Sequence, residues 1–124
     1  MTGERALVTV VDDSDSVRES LPDLLRHAGY EVATFPSAEA FLASEVVSDT
    51  SCLVLDVGLP GMSGPDLQQE LVRLGDQIPI VFITARSDQS IGPLLVGRGA
   101  VACLFKPFSD TALLEALETA IPMR

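Results

Sequence analysis

Short apolar runs alternate along the chain with stretches in which apolar residues recur at helical spacing. Residues 6–11 (ALVTVV) form a continuous β-branched run, the mark of a strand buried on both faces. Val17, Leu21, Leu24, Leu25 and Ala28 then fall on one helical face, and Gly29 is a stop signal. Ser16 and Glu19 have capping-box spacing at the start of that helix. Pro22 predicts a kink, because it has no N–H to bond back to Arg18. Residues 30–35 (YEVATF) alternate and read as a second strand, after which Ser37 caps a short helix carrying Phe41 and Leu42.

The alternation continues. Residues 52–55 (CLVL) are a third buried strand ending at Asp56, followed by a turn-rich loop at 58–65 (GLPGMSGP). Leu67, Leu71 and Leu74 mark the next helix. Residues 78–83 (IPIVFI) are a fourth strand ending at Thr84, and a weak helix follows over about 88–98. Residues 101–105 (VACLF) are a fifth strand ending at Lys106, and Ser109 caps a last helix with Leu113, Leu114, Leu117 and Ile121 on its apolar face. Five strand–helix units predict an α/β domain with a five-stranded parallel sheet and helices on both faces, one domain over 1–124.

Composition narrows the choice of function. Hydrophobic residues make up 47% of the chain, enough for a core built mostly of Leu, Val, Ile and Ala. The net charge is -10, which argues against direct nucleic-acid binding and against anionic membrane surfaces, both of which need cationic side chains. Cys52 and Cys103 lie inside apolar runs and have no metal-site spacing, so they read as two buried thiols in a reducing compartment. With no signal-type segment and no run of transmembrane length, the expectation is a soluble cytoplasmic protein.

The polar residues at the strand ends carry the chemistry. Asp12 and Asp13 follow the first strand, Asp56 the third, Thr84 the fourth and Lys106 the fifth. In an open parallel sheet all these ends lie along one edge, where ligands bind. Three carboxylates crowded together repel unless a cation sits among them, and an all-oxygen set with open positions suits Mg²⁺. An ammonium at Lys106 and a hydroxyl at Thr84 would complete a site matched to the oxygens of a transferring phosphoryl group. A carboxylate can be the nucleophile, giving an aspartyl phosphate.

These residues resemble the receiver (CheY-like) domains of two-component response regulators. The likeness rests on the pair Asp12-Asp13, on LVLDVGLPGMSG around Asp56, on FITA with Thr84 and on FKPF with Lys106 and Pro107. GLPGMSG together with KPF is closest to the subgroup of nitrogen-fixation and nodulation regulators. The resemblance implies a doubly wound (βα)5 fold with strand order 2-1-3-4-5. It implies that Asp56 accepts a phosphoryl group from a phosphohistidine on a sensor histidine kinase or phosphotransfer protein. Asp13, Asp56 and the backbone carbonyl of Gly58 would hold Mg²⁺, with Asp12 acting mainly through a water on the ion. Lys106 would pair with the phosphoryl oxygens, aimed by a cis bond to Pro107. Thr84 would move to bond the phosphoryl group and so shift the face made by the fourth helix, fifth strand and fifth helix. Small Ala85 would leave the acceptor accessible, and Gly58 and Arg86 occupy positions that tune hydrolysis. The only catalysis implied is the chain's own phosphorylation and dephosphorylation. Output would pass through contact with a partner protein, and the fourth-to-fifth-helix face is one through which the family forms homodimers.

Three features depart from or sit outside that pattern. Cys103 stands where the family usually has an aromatic switch residue, and a thiol cannot swap between exposed and buried ring positions; Phe105 shares its strand parity. Gly92, Pro93 and Gly97 predict a fourth helix that is short, bent or mobile. His27 reads as a helix C-terminal residue facing the dipole rather than a phosphate relay. Two other functions compete. An aspartate-nucleophile phosphatase would need a second acid two residues after Asp56, where Gly58 stands. A phosphorylation-independent interaction domain would usually have lost acidic, Thr or Lys positions that are all kept here.

Overall fold

The computed structural model describes residues 5–85 and 90–121. The apolar runs become β1 (Leu7–Val11), β2 (Glu31–Phe35), β3 (Cys52–Asp56), β4 (Ile80–Thr84) and β5 (Ala102–Phe105). Between and after them lie α1 (Asp15–His27), α2 (Ala38–Leu42), α3 (Gly64–Leu74), α4 (Ile91–Gly97) and α5 (Asp110–Ala120). All strand pairings are parallel and the order is β2-β1-β3-β4-β5, as the resemblance implied. No helix among the described residues is long and apolar enough to cross a membrane.

Strand periodicity sorts the core into two layers. Val8, Val10, Cys52, Val54, Val81 and Ile83 point to α1 and α5, where Leu21, Leu25, Leu113 and Leu117 cover them. Val11, Leu53, Leu55 and Phe82 point the other way, under Phe41 of α2, Leu67 and Leu71 of α3 and Leu95 of α4. Thr9 shares that second parity but carries a hydroxyl into the core. It is satisfied by the Thr50 hydroxyl at 2.8 Å, and Thr50 donates on to the Val46 carbonyl, which anchors the connection between α2 and β3.

Several local expectations are corrected. The N-cap of α1 is Ser14, not Ser16. The Asp12 carboxylate accepts the Ser14 N–H at 2.8 Å, so the chain turns into the helix early and Ser16 lies inside its first turn. Helix α1 continues past Pro22 to His27, with Pro22 buried beside Leu21 and Leu25, whereas Ala28 is exposed. Cys52 is buried and its thiol is pushed up to about 12 by that burial, but Cys103 is only half-buried. Helix α4 is short, as its glycines and proline predict; the stretch expected to begin it at Asp88 lies outside the described residues. Gly92 has a packing role that the sequence reading missed. A Cβ there would stand 3.2 Å from the Phe105 ring and 3.7 Å from the Cys103 Sγ, so glycine lets α4 close onto β5.

Candidate functional site: an acid cluster at the carboxyl edge of the sheet

Parallel strands bring their carboxyl ends to one edge. Asp12 and Asp13 leave β1 there, Asp56 and Thr84 are the last residues of β3 and β4, and Lys106 follows β5. One carboxylate oxygen from each of Asp12, Asp13 and Asp56 lies within 4.8 Å of the others. Lys106 Nζ donates to Asp12 Oδ2 at 3.0 Å and stands 3.9 Å from Asp56 Oδ1. The Lys106 backbone N–H bonds the Thr84 carbonyl at 2.7 Å, which ties the lysine to the end of β4.

Exposure differs sharply within the cluster. Asp12 is fully buried, Asp56 and Thr84 nearly so, and Asp13 is open to solvent. Both Asp12 oxygens are occupied, Oδ1 by the Ser14 N–H and Oδ2 by Lys106. Arg18 from α1 donates to the Asp12 backbone carbonyl at 2.9 Å and also pairs with Asp15. Burial, and after it the charge of Asp12, holds the Asp56 carboxyl above the ordinary carboxylate range; Asp13 adds to this, while Lys106 and the Gly58 N–H pull the other way. That imbalance of negative charge is what a bound cation relieves, and the all-oxygen donor set is one that a hard divalent cation selects. The cluster is therefore a site able to coordinate a divalent cation.

The remaining expected residues surround it. Gly58 is exposed, and its N–H approaches Asp56 Oδ1 at 3.3 Å. Ala85 is exposed next to Thr84, and the Lys106–Pro107 bond is cis. Cys103 is not in the cluster; it lies on the α4 side of β5, against Gly92. Arg86 lies outside the described residues. His27 is exposed in the last turn of α1, at the end of the helix away from the acids.

Sequence reasoning overlooked three contributors. Arg18 is one. The second is Gly64, where a Cβ would come within 2.4 Å of the Asp56 carbonyl, so only glycine lets α3 start so close to the acid. The third is the capping box of Ser63 and Asp66, which fixes that start and was visible as Ser-x-x-Asp spacing.

Residues 8–118 match the family model of the response regulator receiver domain. The chain belongs to the response-regulator receiver family. It is similar to nodulation protein W of Bradyrhizobium diazoefficiens, with 49% identity over 116 residues that cover 94% of this chain and 51% of that protein. Among solved structures, the response regulator StyR superposes with a TM-score of 0.87 at 47% identity, covering 95% of this chain and 60% of that one. FixJ-N superposes with a TM-score of 0.85 at 37% identity, covering 98% and 97% of the two chains. The receiver spans about half the length of the curated relatives it matches. Its architecture, with three aspartates clustered for phosphorylation at the sheet edge, is that of a response-regulator receiver.

Proposed function

We propose that Asp56 is the phosphoacceptor of this receiver, with a histidine kinase or phosphotransfer protein as the donor and Mg²⁺ as the cation, and that residues 1–124 form one receiver unit. The observation that carries the assignment is that an Asp56 oxygen lies within 4.8 Å of one from the exposed Asp13 and that Asp56 Oδ1 stands 3.9 Å from the Lys106 ammonium. An Asp56 carboxylate oxygen attacks phosphorus, the P–N bond to the donor imidazole breaks, and its electron pair stays on the imidazole nitrogen. Hydrolysis later returns the carboxylate and inorganic phosphate.

Asp13, Asp56 and the Gly58 carbonyl are the residues that would hold Mg²⁺, which when bound supplies positive charge to the phosphoryl oxygens. Asp12 has both oxygens engaged, which supports a role in holding Lys106 and acting on the ion only indirectly. Lys106 is already within reach of Asp56, and a short shift from Asp12 brings its ammonium to a phosphoryl oxygen. Thr84 supplies a hydroxyl from the end of β4. The change at the site would pass to α4, β5 and α5, where Cys103 and Phe105 meet Gly92 in place of an aromatic switch at position 103. Leu94 and Val96 stand exposed on α4 and suit that face to an output protein or a second copy.

Incubation with acetyl phosphate, read by intact mass, tests the proposal. A Mg²⁺-dependent phosphoryl adduct is expected on the wild type and not on Asp56→Asn. Sedimentation of the same samples reads any dimer formed on phosphorylation. An adduct that persists in Asp56→Asn, or that forms equally in EDTA, would refute the assignment.

A further inference from the structure

The loop from Val57 to Ser63 leaves Asp56 and carries Gly58, and three features hold it at its base. The Val57 N–H bonds the Ile83 carbonyl at 2.9 Å, the Gly64 N–H bonds the Val57 carbonyl at 3.1 Å, and the Val57 and Leu59 side chains are buried. The tip is different. It contains Gly61 at φ +74, and its backbone projects toward α2. There Glu39, in the first turn of α2, accepts the Met62 N–H on Oε2 at 2.8 Å. The same oxygen lies 2.7 Å from where a Cβ on Gly61 would stand, so the carboxylate fits against a backbone that only glycine leaves open.

Helix α2 is a firm support for this tie. Ser37 caps it through the Ala40 N–H at 3.0 Å, Ala38 and Phe41 are fully buried, and the Phe41 ring meets Phe35 edge-on at 5.7 Å. The Glu39 backbone is therefore anchored against the sheet through α2, while the loop its exposed carboxylate bonds begins at Asp56. We propose that Glu39 is a positioning residue for the cation site: by fixing the loop tip it presets the backbone around Gly58 for Mg²⁺ and so for phosphorylation of Asp56. This rests on the reading of Asp13, Asp56 and Gly58 as the Mg²⁺ site. The bond to Met62 also holds the Glu39 carboxyl below the ordinary carboxylate range.

The test compares wild type with Glu39→Ala and Glu39→Gln, the second of which keeps a carbonyl acceptor for the Met62 N–H. Three quantities are read: Mg²⁺ affinity by titration of the metal-free chain, hydrogen exchange of the Met62 amide without metal, and melting temperature. Glu39→Ala is expected to bind Mg²⁺ severalfold more weakly, by no more than the roughly tenfold that losing a partner bonded directly to a ligand costs at the low end. Its Met62 amide is expected to exchange faster while the β3 amides and the melting temperature stay near wild type. Glu39→Gln is expected to restore most of the affinity. Wild-type Mg²⁺ affinity in Glu39→Ala would overturn the role of Glu39 while leaving the site itself standing. So would a loss shared equally by both variants and matched by a general loss of stability. Failure of the wild type to bind Mg²⁺ would overturn the site, and this role with it.

Discussion

Asp12 and Asp13 are adjacent and chemically alike, yet one is sealed in the protein and the other faces water. The difference comes from what each can bond. Asp12 meets the Ser14 N–H and Lys106, which offset its burial, and Asp13 is left to solvent. Asp56 has less support: a long bond from the Gly58 N–H and a lysine held mainly by its neighbour. Its raised pKa has a consequence for stability without metal. The folded state takes up the Asp56 proton more readily than the unfolded chain, so ionising it costs stability at pH above the raised value. That cost is relieved as pH falls through the raised folded value toward the unfolded one. Asp56→Asn is therefore expected to stabilise the metal-free receiver at pH 7, on the scale of about 0.5–2 kcal/mol that single stabilising substitutions reach. The gain should shrink on acidification. Urea denaturation across that pH range checks both signs, and an Asp56→Asn variant less stable at pH 7 would contradict them.

At the scale of elements, the strands and their ends were legible because each signal is local. Five polar residues at or just beyond apolar runs gave the edge, and parallel pairing brought Asp12, Asp13, Asp56, Thr84 and Lys106 together. The links that hold this edge in place were not legible, because they cross the sequence: Glu39 meets Met62 over 23 residues and Lys106 meets Asp12 over 94. The start of α1 was misjudged for a related reason, since a side chain from outside the helix, Asp12, sets it. Helix α4 shows why a glycine count is a blunt instrument. Gly97 has open space around it, whereas Gly92 faces Phe105 at 3.2 Å. Gly97→Ala should stabilise the receiver by up to about 1 kcal/mol through helix propensity. Gly92→Ala should gain less, or lose, because Phe105 must give way. Thermal melts of the two variants decide it; a larger gain from Gly92→Ala would show that the contact with Phe105 is slack.

The whole molecule carries a net charge of -10, and three of its carboxylates share one edge of the sheet. Such a chain is stabilised by any cation, but a built site responds at far lower concentration than general screening does. Mg²⁺ should raise the melting temperature well beyond NaCl of equal ionic strength. The linkage gain is about 2.7 kcal/mol when Mg²⁺ is a hundredfold above its dissociation constant. Asp13→Asn should remove most of that gain, and an equal response of Asp13→Asn and wild type would place the cation elsewhere.

In the mechanism proposed above, one carboxylate, Asp56, takes the phosphoryl group. An acyl phosphate is reduced by borohydride to an alcohol, so trapping the phosphorylated receiver and sequencing its peptides by mass spectrometry names the residue. Homoserine at position 56 alone is the expected result. Homoserine at position 12 or 13 instead, or none in a preparation that carries the phosphoryl mass, would contradict it.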